Sequence, residues 1–151
     1  MNTLLETQLK RAKAAARLLK NMPTCTKNQA LDKIADALIA HSDEILEANK
    51  KDMAHAKEVN MTKAMQDRLL FTHERIVGVS EGVKKVATLP DPIGEVMESW
   101  TRPNGLKISK VRVPIGVFGI IYEARPNVTV DIASLCLKSG NACVLRGGKE
   151  A

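Results

Sequence analysis

The first part of the chain repeats apolar residues every three or four positions, a spacing typical of amphipathic helices. It predicts helices over residues 3–21, 27–41, 43–59 and 73–87. It also predicts a shorter helix or loop over residues 61–70. Thr26 with Gln29 forms a candidate capping box, and Ser42 and Thr72 are candidate N-caps. The second helix is predicted to turn these residues inward: Leu31, Ile34, Ala35, Leu38 and Ile39.

The pattern then changes to extended segments. Residues 95–101 and 106–113 flank the sequence Arg102-Pro103-Asn104-Gly105, which is a strong turn pattern. These segments predict a hairpin. The apolar alternation of its second strand slips by one at Ser109-Lys110, which predicts a β-bulge there.

The last part of the chain predicts a strand–helix–strand unit. Residues 116–122 and 142–145 are apolar runs typical of strands that are buried on both faces. Residues 127–139 between them have helical spacing, and Ser139-Gly140-Asn141 is a typical helix end. Because a helix joins the two strands, we expect a parallel, right-handed pair and therefore an α/β fold.

Charge and cysteine content narrow the classes of function. The net charge is +6, and from residue 101 onward eight basic residues stand against three acidic ones. A basic region of this kind favours a ligand that carries phosphate. Nucleic acid is not expected, because no stacking, zinc or helix-turn-helix motif is present. No membrane is expected either, since no apolar run approaches the roughly 18 residues that a span requires. Three widely spaced cysteines and no signal-peptide pattern predict reduced thiols in the cytoplasm.

Two loops are candidates for a ligand site, because ligands of open parallel sheets bind beyond the carboxyl ends of the strands. The first loop, residues 122–127, carries Arg125. The second, residues 146–150, has Arg146 and Lys149 on either side of a glycine pair. Guanidinium and ammonium groups can donate to phosphate or ribose. The loops fit such a ligand and a plain solvated turn equally well. Gly116 and Gly119 lie within the predicted strand rather than in a strand-to-helix turn, and the dinucleotide fingerprint G-x-G-x-x-G is absent.

The sequence resembles gamma-glutamyl phosphate reductases over essentially its whole length. The most specific segments are Glu123-Ala124-Arg125-Pro126-Asn127-Val128-Thr129 and Leu145-Arg146-Gly147-Gly148. Residues 46–52, 68–70 and 89–95 are also similar to the family. The resemblance implies an aldehyde-dehydrogenase-like fold, a superfamily that binds its nicotinamide cofactor without the glycine fingerprint. It implies N-terminal helices of the cofactor-binding domain over 1–94, an oligomerisation hairpin over 95–113 and the start of the NADP-binding sheet over 114–151.

The resemblance also implies a reaction and roles for single residues. A cysteine thiolate attacks L-glutamyl 5-phosphate and expels phosphate, and NADPH reduces the thioester to L-glutamate 5-semialdehyde, a step of proline biosynthesis. Asn127 corresponds to an oxyanion donor. Arg125 corresponds to a substrate-binding residue, for either the acyl phosphate or the glutamate carboxylate. The cofactor-binding loop comprises Arg146, Gly147, Gly148, Lys149 and Glu150. The implied partners are further copies of the chain and, functionally, glutamate 5-kinase.

One part of the family pattern is missing. The nucleophile of the family lies in a Gly-Gln-x-Cys-Asn segment, which does not occur here. Cys25 precedes a predicted helix, and Cys136 and Cys143 lie among apolar neighbours, so all three are predicted to be inert. His41, His55 and His73 have no second ligand at metal-binding spacing, so no metal is expected. We expect the sequence to be part of a longer chain and inactive by itself.

Two alternative functions remain open at the level of sequence. One is an aldehyde dehydrogenase that oxidises, which Arg125-Pro126-Asn127 disfavours because oxidising enzymes usually carry a Trp-Asn pair there. The other is a non-enzymatic helical interaction module formed by residues 1–90. A stable monomer without affinity for nucleotides would favour the second alternative.

Overall fold

The computed structural model describes residues 3–123 and 125–149, so Ala124 and Glu150 lie outside the described residues. The order of elements is the predicted one. It runs through α1 (Thr3–Leu19), α2 (Thr24–Ala40), α3 (Ser42–Glu58), α4 (Lys63–Leu69), α5 (His73–Thr88), β1 (Val96–Thr101), β2 (Lys107–Val111), β3 (Val117–Ile121), α6 (Pro126–Lys138) and β4 (Ala142–Arg146).

Of the three predicted N-caps, one agrees with the observed start of its helix and two do not. Thr72 caps α5, since its side-chain oxygen accepts the Arg75 amide at 3.2 Å. The capping box at Thr26 is wrong, because α2 begins two residues earlier at Thr24. Pro23 precedes it with φ −60° and ψ 145°, a geometry that leads directly into a helix. Ser42 is the first residue of α3 rather than its N-cap.

The largest apolar cluster joins α2, α5 and α6. Its buried centre consists of Leu31 and Ala35 from α2 with Val83 and Ala87 from α5. Ile39 was expected inside but is 40% exposed. It lies roughly 80° around the helix from Leu31, at the margin of the apolar face. Partly buried residues that pack on the centre are Ile34, Leu38, Val86, Val130 and Leu137.

Two buried lysines connect the start of α2 with the end of α6. Lys27 Nζ donates to Asp91 Oδ2 at 2.7 Å. Lys138 Nζ donates to Asn28 Oδ1 at 2.6 Å and to the Ala87 carbonyl at 2.8 Å. Burial by itself would raise the pKa of Asp91, but hydrogen bonds from Lys27 and two neighbouring groups outweigh it and lower that pKa. The network fixes α6 against the helical part of the chain.

The predicted hairpin is present, but its irregularity lies in the first strand, β1, and not in the second. β1 and β2 pair antiparallel, with Val96 opposite Val111 and Glu98 opposite Lys110. The extra residue is therefore Met97 in β1, and the prediction of a bulge at Ser109-Lys110 is wrong. The apolar slip in the second strand reflects solvent exposure of both hairpin strands rather than a change in pairing.

The strand–helix–strand unit is also confirmed, because β3 and β4 pair in parallel. The predicted burial of β3 on both faces is wrong, since Ile121 is 86% exposed. The end of α6 matches the prediction: Gly140 has φ +68° and donates to Leu137 O, while the Asn141 amide donates to Cys136 O at 2.8 Å.

The cap at Thr72 allows a direct test of local stability. Thr72→Ala should lower the free energy of unfolding by about 1 kcal/mol, because the Arg75 amide loses its acceptor. Thr72→Ser keeps the hydroxyl and should lose much less. Denaturant titration of both variants, followed by circular dichroism, measures the difference. An alanine variant as stable as the serine variant would contradict the capping role.

The predicted division of the chain into three segments, over 1–94, 95–113 and 114–151, remains an interpretation of the sequence. None of the helices in the described part of the chain combines the length and the apolar character that a membrane crossing requires.

Candidate functional site

The two predicted ligand loops meet at one edge of the parallel pair. Ile121 lies opposite Arg146, and the next amide, that of Tyr122, donates to the Arg146 carbonyl at 3.1 Å. The Tyr122 ring then lies against Gly147, where an added Cβ would be 3.5 Å from the phenol oxygen. The loop after β3 and the loop after β4 therefore form one surface, as the topology predicts.

The first turn of α6 holds the two other predicted residues. Arg125 is the N-cap residue, with an extended backbone, and Pro126 occupies the first helical position. Asn127 follows, half-buried, and its Nδ2 donates to Asp131 Oδ2 at 2.9 Å one turn further on. The proline thus fixes where α6 begins. Arg125 and Asn127 lie on either side of it, at the N-terminal end of the helix.

Arg125 and Asn127 line a cleft of about 500 Å³, which we call the first cleft. Its other wall comes from the end of α4 and the first half of α5, more than forty residues earlier in the chain. Sequence analysis did not assign that wall to the site. The polar and charged side chains that line the first cleft are Asp67, Arg68, Arg75, Arg125, Asn127 and Asp131.

A second cleft of about 360 Å³ lies next to the first. Tyr122, Thr129 and Gly147 line it together with residues of α2 and α3. Phe71 and Pro126 line both clefts, so the clefts adjoin at the start of α6. The predicted substrate residue Arg125 therefore lies in one cleft, and Gly147 of the predicted cofactor loop lies in the neighbouring one.

The remaining residues of the cofactor loop follow β4. Arg146 is its last residue and is exposed, as is Lys149, whereas Gly148 is half-buried. Glu150 was also assigned to this loop but lies outside the described residues. The loop presents two cations beside Gly147, which is an arrangement that can bind a phosphate.

The cysteines lie away from both clefts. Cys25 is exposed, Cys136 is buried and Cys143 is half-buried, and none of them lines the first or the second cleft. Burial raises the pKa of the Cys136 thiol to about 11, with a further contribution from the neighbouring Cys143. A thiol with so high a pKa is almost fully protonated at neutral pH and is a poor nucleophile.

Metal ligands are not grouped in the part of the chain that the structure describes, where no three His, Cys, Asp or Glu side chains lie together in a suitable arrangement. His41 is the N-cap residue of α3, and its ring pairs with Glu44 at 3.1 Å. His73 is the first residue of α5.

Comparison with known proteins gives consistent matches along the whole chain. A gamma-glutamyl phosphate reductase of Moorella thermoacetica is 56% identical over 153 residues, which is 100% of this chain and 37% of that protein. The one of Clostridium novyi is 58% identical over 93% of this chain and 34% of its own length. The chain thus spans about a third of the length of the curated relatives it matches. No protein-family model matches it.

Two solved structures agree with this result. A crystal structure of the reductase of Thermotoga maritima matches with a TM-score of 0.95 and 46% identity, over 97% of this chain and 36% of that one. The Saccharomyces cerevisiae structure gives 0.89 and 41% identity, over 93% of this chain and 36% of that one. Fold and sequence together give the chain an α/β fold that the two solved reductase structures share. The chain is similar throughout its length to gamma-glutamyl phosphate reductases, so the resemblance and the fold class predicted from the sequence are confirmed.

Proposed function

We propose that the chain is part of an NADPH-dependent reductase that converts L-glutamyl 5-phosphate to L-glutamate 5-semialdehyde and phosphate, in the biosynthesis of proline. The observation that carries the proposal is the pair of adjoining clefts, with Arg125 and Asn127 in the first and Gly147 in the second. A hydride transfer needs a substrate and a cofactor that meet at one place. Clefts that share Phe71 and Pro126 supply two such neighbouring sites.

In this proposal the start of α6 handles the reacting end of the substrate. The Arg125 guanidinium binds the acyl phosphate, and the Asn127 amide donates to the carbonyl oxygen as negative charge develops on it. The loop after β4 binds the cofactor through Arg146, Gly147, Gly148 and Lys149, and Glu150 belongs to the same loop by resemblance. When bound, NADPH supplies the hydride, and the thiolate that attacks the substrate comes from outside these residues.

Assembly and location complete the proposal. The exposed β1–β2 hairpin, with Trp100 at 43% exposure, offers a surface for association with further copies of the chain. Cytoplasmic location is supported by three free cysteines, which suit a reducing compartment. The proposal includes a functional association with glutamate 5-kinase, as the resemblance implies, and the ready hydrolysis of acyl phosphates is consistent with it.

The decisive experiment is an assay of the full-length reductase of which this chain forms the matched third. It should oxidise NADPH with glutamyl phosphate, and in reverse it should reduce NADP with semialdehyde and phosphate. Absence of both activities in a folded, pure protein would overturn the proposal. Oxidation of simple aldehydes without any need for phosphate would favour an oxidising aldehyde dehydrogenase instead.

The 151-residue chain alone is expected to have no reductase activity, because Cys25, Cys136 and Cys143 all lie away from both clefts. The same two assays, run on the isolated chain, check this. Cys136→Ser and Cys143→Ser serve as controls. Turnover that disappears in either variant would show that one of these thiols is the nucleophile.

A further inference from the structure

The end of α4 and the segment that joins it to α5 are held in place by side chains from α3 and from α5. Asn49 Nδ2 donates to the Leu69 carbonyl at 2.9 Å, and Asn49 Oδ1 accepts the Phe71 amide at 2.7 Å. Arg75 donates to two backbone carbonyls of the same segment. Leu69 is fully buried beneath it. These contacts fix the backbone on both sides of Arg68, so that its side chain starts from a defined position at the first cleft.

The three arginines of the first cleft differ in their partners. Arg75 Nη2 binds Asp67 Oδ1 at 3.0 Å, and its other nitrogen is bound to the backbone, so Arg75 has a structural role. Over residues 3–123 and 125–149, no hydrogen bond or ion pair engages the guanidinium of Arg68 or of Arg125. Two guanidinium groups from different parts of the chain thus remain free in one cleft.

The proposed substrate carries anions at both of its ends. Its acyl phosphate is the reacting end, which belongs next to Asn127 and therefore next to Arg125. Its other end is an α-carboxylate beside an α-ammonium group. Arg68, on α4, is the free cation that remains for the carboxylate, and a guanidinium can bind a carboxylate through two parallel hydrogen bonds. Asp67 and Asp131 line the same cleft and supply carboxylate oxygens for the ammonium group.

We infer that Arg68 is the residue that selects the α-carboxylate of the substrate, while Arg125 serves the phosphate. This rests on the proposed function, because it concerns the amino-acid end of the same molecule. It explains why the cleft contains both signs of charge. A zwitterionic amino-acid group needs a cation and an anion close together, whereas a simple aldehyde needs neither.

In the reverse reaction the two anionic groups belong to different substrates. The semialdehyde carries the carboxylate, and inorganic phosphate is the second substrate. In the full-length reductase, Arg68→Ala should raise the KM for semialdehyde by at least about tenfold, the loss expected for a charged hydrogen bond. The KM for phosphate should change much less. Arg68→Lys keeps the charge but loses the paired geometry, so its KM for semialdehyde should lie in between.

Two matched variants control for stability and for general charge. Arg68→Ala should unfold at the same temperature as the wild type, whereas Arg75→Ala should unfold at a lower one because it loses its hydrogen bonds. Lys33→Ala removes one positive charge from an exposed position of α2 that lines neither cleft, and it should leave both KM values unchanged.

The outcomes distinguish this inference from the proposed function. Suppose that the wild type is active and that Arg68→Ala changes the KM for semialdehyde by less than about threefold, which is less than the loss of one charged hydrogen bond would cause. The assignment of Arg68 is then wrong, and the proposed function stands. Equal increases of both KM values would also overturn the assignment, since they indicate a general loss of positive potential. A wild type without turnover overturns the proposed function and this inference together.

Discussion

Asn127→Ala in the full-length reductase is expected to lower kcat by about 100- to 1,000-fold, the usual cost of losing one oxyanion donor. The KM for the acyl phosphate should change far less, because the amide acts on charge that develops only in the transition state. Steady-state and single-turnover measurements with glutamyl phosphate and NADPH give both values. This is the largest effect that the structure leads us to expect.

The geometry of Asn127 supports this expectation. An amide NH₂ has two N–H groups, and Nδ2 uses one of them to donate to Asp131 Oδ2 at 2.9 Å. The second N–H remains available to a ligand in the first cleft, which both residues line. Asp131 therefore acts as a positioning residue that holds the amide in one orientation before the substrate arrives.

Two variants distinguish a donor from a structural residue. Asn127→Asp keeps the shape but removes the donor and places a negative charge beside Asp131, so its kcat should fall at least as far as that of Asn127→Ala. Asp131→Asn leaves Asn127 in place and should have a smaller effect. If Asn127→Ala lowers thermal stability but leaves kcat in the folded fraction unchanged, the oxyanion role is refuted.

The elements could be predicted from sequence because their causes are local. The 3.6-residue spacing of apolar residues predicted the helices, and the turn sequence at Arg102–Gly105 predicted the hairpin. The strand–helix–strand pattern also predicted that the loops after β3 and β4 would meet, as the bond between Tyr122 and Arg146 shows. Parallel pairing through a helix leaves little freedom in where these loops lie.

The other wall of the first cleft could not be predicted, because its causes are long-range. Arg68 and Arg125 line one cleft although they are far apart in the chain, and no local pattern connects them. Lys27 and Lys138 look like solvated charges in sequence but are buried, since each finds acceptors on other elements. The start of α2 at Thr24, two residues before the candidate cap Thr26, also carries long-range contacts, since Thr24 Oγ1 and Lys27 Nζ both donate to the distant Asp91.

The second large effect concerns the choice of cofactor. NADPH differs from NADH by a 2′-phosphate that carries nearly two negative charges. Arg146 and Lys149 lie on either side of the glycine pair, both exposed. The backbone of Arg146 is fixed by its bond from the Tyr122 amide at 3.1 Å. The proposed assignment therefore places two cations, one of them on a fixed backbone, where the phosphate of the ribose is expected.

Arg146→Ala or Lys149→Ala should weaken NADPH binding by about ten- to a hundred-fold, since a hydrogen bond to a charged group contributes roughly 1.5–3 kcal/mol. NADH lacks the phosphate, so its affinity should change much less. Both affinities are measured on the full-length reductase by fluorescence titration at two salt concentrations. Lys33→Ala, which removes a distant exposed charge from α2, is the matched control.

The competing explanation is that both side chains are solvated and contribute only general positive potential. It predicts small losses of equal size for the two cofactors, and losses that shrink as salt screens the charges. A direct contact instead changes the ratio of NADPH to NADH affinity, and this change persists at high salt. If neither variant shifts that ratio by more than about threefold, well below one charged hydrogen bond, the loop after β4 does not bind the phosphate.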